Sequence, residues 1–171
     1  MERRNISNEF LKECIADALI QLMKEKPLES ITITEITALA GVGRSTYYRN
    51  FTSKEDILCF KIYLLGKRWM QKTPTDDKPD SADLIRSFCC YLCSIRELLD
   101  LLYQNDQIYL VCTTLYNVIG PSEQDDKKTT YRKAFQSFGI FGIVFQWLKG
   151  GMEEGPEELA RLIDEENLTK S

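Results

Sequence analysis

An all-α fold is what this sequence predicts, and three observations predict it. Apolar residues recur at spacings of three and four along most of the chain, no segment alternates with a period of two, and Gly and Pro fall between the periodic segments. No internal repeat is visible. A chain of 171 residues is long enough for a small helical head fused to a helical body.

From Ser7 to Lys26, the residues Phe10, Leu11, Cys14, Ile15, Ala18, Leu19, Leu22 and Met23 form the stripe of an amphipathic helix, which Pro27 helps to end. Thr32 with Glu35 three residues on has capping-box spacing and opens a short helix through Ala40, stopped by Gly41. Arg44 to Phe51 is a third short helix. Ser53 with Asp56 caps a fourth that reaches about Lys72. Pro74, Asp76, Asp77, Lys78 and Pro79 make the clearest linker. Ser81 to Gln104 reads as one helix, and Ile108 to Ile119 as another. After the Gly120, Pro121, Ser122 break, the segment from Glu123 to Lys149 reads as a long helix, strongly apolar beyond Ala134 and closed by Gly150 and Gly151. Pro156 suits the first turn of a last helix to about Asn167, with Glu157 and Glu158 favourably placed on its dipole. The expected domains are 1–52 and 53–171, with helix 53–72 as connector.

Composition narrows the function. Hydrophobic residues at 43% and charged residues at 28% are the mixture of a soluble globular protein. The opening MERRNISNEF has no apolar run of signal-peptide length, and no stretch reaches the ~18 apolar residues of a membrane span, so the expected location is the cytoplasm, away from membranes. Without histidine there is no Ser/His or Cys/His nucleophile pair and no imidazole metal ligand; no catalytic residue, metal site or cofactor is expected. Charge is asymmetric: residues 1–72 carry 12 Lys+Arg against 9 Asp+Glu, and the remaining 99 carry 10 against 17. A basic head supplies phosphate affinity while an acidic body is repelled by the same polyanion.

The two short helices joined by Gly41, Val42 and Gly43 have the dimensions of a helix-turn-helix, whose second helix enters a major groove by its N-terminal end. That end carries Gly43, Arg44, Ser45 and Thr46: open backbone N–H groups, a guanidinium that can fork onto guanine, and two hydroxyls. Tyr48, Arg49 and Asn50 extend the polar surface. Lys54 is misplaced on dipole grounds in the first turn of the next helix, which a phosphate partner would reverse. The bland reading, that Tyr47, Tyr48 and Phe51 pack a core, is accepted here for Phe51.

From Thr32 to Leu58, TITEITALAGVGRSTYYRNFTSKEDIL closely resembles the TetR family of bacterial regulators. Thr32, the turn Ala40, Gly41 and Val42, then Thr46, Tyr48 and Phe51, and finally Ser53, Lys54 and Glu55 carry the likeness; Thr37, Gly43, Ser45 and Asn50 depart from it. The resemblance implies an N-terminal three-helix helix-turn-helix DNA-binding domain followed by a helical-bundle ligand-binding and dimerisation domain. It implies phosphate contacts from Thr32, Thr46, Tyr48 and Lys54, and approach to bases by Arg44, Ser45 and Tyr47. The function implied is a homodimeric repressor on a near-palindromic double-stranded operator, released by a small apolar or aromatic effector. An activator or coactivator controlled by a protein partner is the alternative.

Beyond Leu58 the likeness is architectural. Phe138, Phe141, Phe145, Trp147 and Leu148 surround the long helix too completely for packing on one side, and Gly139 and Gly142 permit close approach of a second helix. A partner subunit or a buried position within one subunit both account for this; the family architecture favours the dimer. Trp69, Phe88, Tyr91, Cys112 and Tyr116 are candidates for an effector pocket and equally for core. Cys90 and Cys93, with Cys89 and Cys112 near them, are read by default as buried inert thiols, with metal or redox sensing the weaker alternative.

Overall fold

The computed structural model describes residues 2–73 and 81–165, with side chains for 8–73 and 83–163. Nine α-helices and one 3-10 turn occur among the described residues, and no strand. They are α1 (Glu2–Met23), the 3-10 turn Leu28–Ser30, α2 (Ile33–Leu39), α3 (Arg44–Asn50), α4 (Lys54–Lys72), α5 (Ser81–Ser94), α6 (Arg96–Gln104), α7 (Tyr109–Ile119), α8 (Lys127–Lys149) and α9 (Pro156–Glu165). The linker expected at Pro74–Pro79 and residues 166–167 of the last expected helix lie outside the described residues.

Local chemistry sets the ends of the short helices. The Thr32 hydroxyl accepts from the Glu35 N–H at 3.3 Å while the Glu35 carboxylate accepts from the Thr32 N–H at 2.9 Å, so the capping box is closed on both sides. At the other end of α2, Gly41 takes φ +67°, and the Val42 N–H reaches back to the Thr37 carbonyl at 3.0 Å. Ser53 opens α4 by accepting from the Asp56 N–H at 3.1 Å, and Asp56 returns a bond to the Thr52 N–H at 3.0 Å. Asp126 caps α8 through the Thr129 N–H at 2.8 Å, which starts that helix a few residues after the expected Glu123.

The head packs α1 against α2, α3 and α4. Ile15, Leu19 and Met23 of α1 are buried with Ile36 of α2, Tyr47 of α3, Phe51, and Ile57 and Leu58 of α4. The expected α1 stripe is buried only from Ile15 onward; Phe10 stands exposed. On the opposite side of this core, Arg68 makes two bonds to Glu13 at 2.6 and 2.7 Å and Lys61 meets Asp17 at 2.6 Å, tying α4 to α1.

In the body α5 lies on α9, α6 on α8, and α7 on both α8 and α4. The single helix expected from Ser81 to Gln104 is two. The Ser94 hydroxyl donates to the Tyr91 carbonyl at 2.7 Å and Ile95 leaves the helical region at φ −107°, ψ 13°, so α6 departs in a new direction. The bend lets α5 cover α9 while Leu98, Leu99, Leu101 and Leu102 of α6 are buried elsewhere in the core.

Besides the packing of α7 on α4, polar contacts also fasten body to head. The Asn105 side chain, just past α6, accepts from the buried Leu28 N–H at 2.9 Å and donates to the Leu101 carbonyl at 2.9 Å. Lys24 meets Glu97 at 2.6 Å on the surface. Removing the Asn105 amide leaves a buried N–H without its acceptor, a loss of about 1 to 3 kcal/mol. Asn105→Ala is therefore expected to lower unfolding free energy by about that amount in urea titrations, whereas Lys24→Ala shifts it by under about 1 kcal/mol; equal small effects would contradict the assignment.

Candidate nucleic-acid interface

The helix-turn-helix of α2 and α3 presents one polar, solvent-facing edge. Gly43, Arg44, Ser45, Tyr48 and Arg49 are all exposed, Thr32 is exposed at the α2 cap, and Thr46 is half-buried. Tyr48 is 65% exposed, a large amphipathic ring mostly open to solvent. Asn50 is half-buried and its amide donates back to the Thr46 carbonyl at 2.8 Å, so its nitrogen is engaged within α3.

Two residues take other places than the sequence suggested. Tyr47, expected to approach bases, is 1% exposed and packs edge-on to Tyr48 at 5.2 Å and against Phe51 at 6.3 Å. With 44, 45, 48 and 49 on the outward face, the helical period leaves position 47 turned inward, and burial raises its phenol pKa above the usual value. Lys54, expected on phosphate, instead directs its ammonium to the carbonyls of Leu28 at 2.5 Å, Ile31 at 3.0 Å and Glu29 at 3.4 Å. Three acceptors occupy its three donors. Its unfavourable place on the helix dipole is thus accounted for inside the protein.

The electrostatics of the head separate structural cations from free ones. Lys26 pairs with Glu35, Lys61 with Asp17, Arg68 with Glu13, and Lys12 lies over the Phe60 ring at 4.3 Å. Arg44 and Arg49, both on α3, make no ion pair among the described residues; Arg44 donates only to the Thr34 hydroxyl of α2. Two uncompensated guanidiniums beside a tyrosine and hydroxyls are suited to phosphate oxygens and base acceptors. The link between Thr34 and Arg44 had no signal in the sequence, because ten residues and a turn separate them.

The tetR-family model of bacterial regulatory proteins matches residues 15–58, from mid-α1 into α4, which contains the whole interface. A second model, described as a transcriptional regulator C-terminal region, matches 86–165. The chain belongs to the TetR family. An uncharacterized HTH-type transcriptional regulator of Bacillus subtilis (strain 168), YwcC, is 33% identical over 67 residues, 39% of this chain. The matched stretch spans only 29% of the length of that relative.

The remaining candidates divide. On α8, Tyr131, Phe135, Phe138, Gly139 and Gly142 share one exposed face, with Phe135 at 73% and Phe138 at 57%. Trp147 and Leu148, expected at a dimer interface, are instead buried within this chain, and the Trp147 indole donates to the Glu154 carbonyl at 3.2 Å. Their half of α8 belongs to the core cluster with Met152, whose N–H donates to the Trp147 carbonyl at 2.9 Å as the chain turns back after Gly151. Phe141 and Phe145 are half-buried against Tyr109, at 5.7 and 6.4 Å between rings.

The five expected pocket residues lie in two places. Trp69, Phe88 and Tyr91 form a mutual aromatic cluster with centroids 5.5 to 6.2 Å apart, the Trp69 indole donating to Ser87 at 3.0 Å. Burial lifts the Tyr91 phenol to about 12. Cys112 and Tyr116 line a separate open groove of about 400 Å³ with Tyr109, Thr113, Asn117 and Phe138. Of the thiols, Cys90 is exposed and Cys89 buried, the latter lifted to about 11 chiefly by desolvation; Cys93 and Cys112 are raised by the same cause. A protonated thiol is a poor nucleophile and metal ligand. Among the described residues no helix is long and apolar enough to cross a membrane.

Two outcomes check this arrangement. Tyr47→Ala should cost about 3 to 5 kcal/mol of stability, as a buried aromatic, while Tyr48→Ala stays within about 0.5 kcal/mol in the same denaturant series. The Glu35 carboxyl is held near 2, against an ordinary 4.5, by the hydrogen bond from Lys26 and then those from Thr32. A lowered folded-state pKa contributes stability that is complete above about pH 5 and lost as pH falls towards 2. The stability gap between wild type and Glu35→Gln should therefore close over that window, and a gap independent of pH would show that the ionised carboxylate is not what the capping box uses.

Proposed function

We propose that this chain is a dimeric repressor that reads a near-palindromic operator in double-stranded DNA through α3 and leaves it when a small apolar or aromatic molecule binds the body. The observation that carries the DNA reading is the outward face of α3. Arg44, Ser45, Tyr48 and Arg49 are exposed there, the two arginines without an ion-pair partner among the described residues, on a helix that Tyr47 and Phe51 lock from behind. Arg44 and Ser45 face bases in this reading; Thr32, Thr46, Tyr48 and Arg49 contact the phosphate backbone and set register.

The α8 face supports a second copy as partner. Tyr131, Phe135 and Phe138 form a contiguous exposed aromatic strip, and a Cβ added at Gly139 or Gly142 would meet no atom within 4 Å. A facing helix can therefore approach the backbone closely at those two glycines. Such a strip exposed on a monomer is costly in water and marks an interaction surface. The groove supports the effector: it lies between α7 and α8, and α7 packs on α4, whose first turns lie in the head. A molecule that spreads α7 from α8 displaces α4 and changes the distance between the two recognition helices, which a ~34 to 36 Å groove repeat requires to be fixed.

Selection of bound duplexes from a random pool at about physiological salt tests the operator and dimer readings together. Wild type should enrich a two-fold symmetric site. Arg44→Ala should relax base preference at one position in each half-site, losing ~1 to 3 kcal/mol there, and Tyr48→Ala should lose the site. Phe138→Glu should sediment as a monomer and enrich no symmetric site. Wild type that enriches no sequence at all would sink the operator reading.

A further inference from the structure

We propose that Thr34 is the positioning residue for Arg44, so that base preference at the pair Arg44 reads is set by an α2–α3 couple; this rests on the base-facing reading of α3 given above. The Thr34 hydroxyl accepts from Nη2 of Arg44, and among the described residues no other hydrogen bond engages that hydroxyl. Both side chains are exposed, so burial does not force the contact. Thr34 is the second residue of α2 and Arg44 the first of α3, which makes theirs a direct side-chain link across the turn, in front of the apolar core.

The chemistry of the acceptor decides what the link does. A carboxylate in place of Thr34 would neutralise the guanidinium and compete with a base or phosphate acceptor. A hydroxyl holds one of five N–H donors and leaves the charge and a forked pair of donors uncommitted. Threonine is stiff at χ1, so the acceptor stands in a fixed place relative to α2. A long arginine side chain otherwise samples many rotamers, and ordering it before binding removes part of the cost of docking. Thr34 thus aims the fork without quenching it.

The test compares wild type, Thr34→Val, Thr34→Ser, Arg44→Ala and the Thr34→Val/Arg44→Ala double variant on the selected operator and on its single base-pair substitutions. Valine keeps the shape and β-branching of threonine on an exposed site, so thermal unfolding should not move. Thr34→Val should lose about 3- to 10-fold in discrimination at the base pair Arg44 reads and at no other, from the ordering cost of one arginine side chain. Serine should restore it, and the double variant should be no worse than Arg44→Ala. In the free protein, ¹⁵N relaxation of the Arg44 Nε–H should show a more mobile guanidinium in Thr34→Val. Uniform loss on every sequence, additive losses in the double variant, or unchanged mobility would overturn the positioning role alone. Arg44→Ala with an unaltered base profile would overturn the base-reading role and the positioning role with it.

Discussion

Between the end of α1 at Met23 and the start of α2 at Ile33 the chain turns through a short 3-10 segment whose carbonyls are not all used by helix bonds. Backbone groups beside a core must find partners, and here three carbonyls of one turn converge on a single ammonium, that of Lys54. Charge-assisted bonds of this kind contribute about 1.5 to 3 kcal/mol each, which outweighs the roughly 0.5 kcal/mol lost by placing a lysine on the positive end of α4. From the other side, Asn105 accepts from the Leu28 N–H of the same turn. One peptide segment is therefore fixed by residues 26 and 77 positions away, and the direction in which α2, and so α3, leaves the core follows from it.

That anchorage explains how a seven-residue helix can present charge without collapsing onto its own protein. Most cations around it have internal partners: the α1–α4 pairs absorb Lys61 and Arg68, Glu35 takes Lys26, the turn takes Lys54, and aromatic faces take Lys12. Glu13 lies below the usual carboxylate range because of Arg68, the same electrostatic statement seen from the acid. What remains uncompensated on α3 is Arg44 and Arg49. The net charge of −4 conceals this, because it averages an acidic body with a head whose useful charges are those that found no carboxylate.

Elements were legible in the sequence where a local rule fixes them. The capping box at Thr32 and Glu35, the positive φ at Gly41 and the Ser53 cap each involve residues a few positions apart, and their chemistry decides the outcome before packing does. The bend at Ile95 was not legible, since Leu92, Ile95, Leu98 and Leu99 keep helical spacing straight through it; only the separate docking of α5 on α9 and α6 on α8 requires the break. The same limit applies to the site. Arg44, Tyr48 and Arg49 could be placed outward from the motif, but Lys54 looked free because its acceptors lie 23 to 26 residues earlier, and Tyr47 looked available because a polar hydroxyl masks a ring that the core needs. On α8, all-round hydrophobicity was visible, yet how it divides between internal packing at Trp147 and Leu148 and the outward face at Phe135 and Phe138 depends on how α6 and α7 dock along the helix.

In the proposed dimer the outward α8 face and the short α3 answer one physical requirement. A helix of two turns reaches only a few base edges, and each well-made contact discriminates by about 1 to 3 kcal/mol, too little to select a site from a genome of competing sequence. In the proposed dimer, two copies held rigidly at a fixed spacing double the contacts and demand a symmetric target, so the specificity of α3 would depend on the rigidity of everything between it and the two-fold axis. In this chain that path runs from α3 through the Lys54 turn to α4, from α4 to α7, and from α7 to α8, with Tyr109, Phe141 and Phe145 stacked at its last step. The groove opens beside those same rings. In the proposed reading a ligand there would need no contact with the head to act; it would have only to change the packing of α7 on α8 by the small displacement that the DNA repeat does not tolerate.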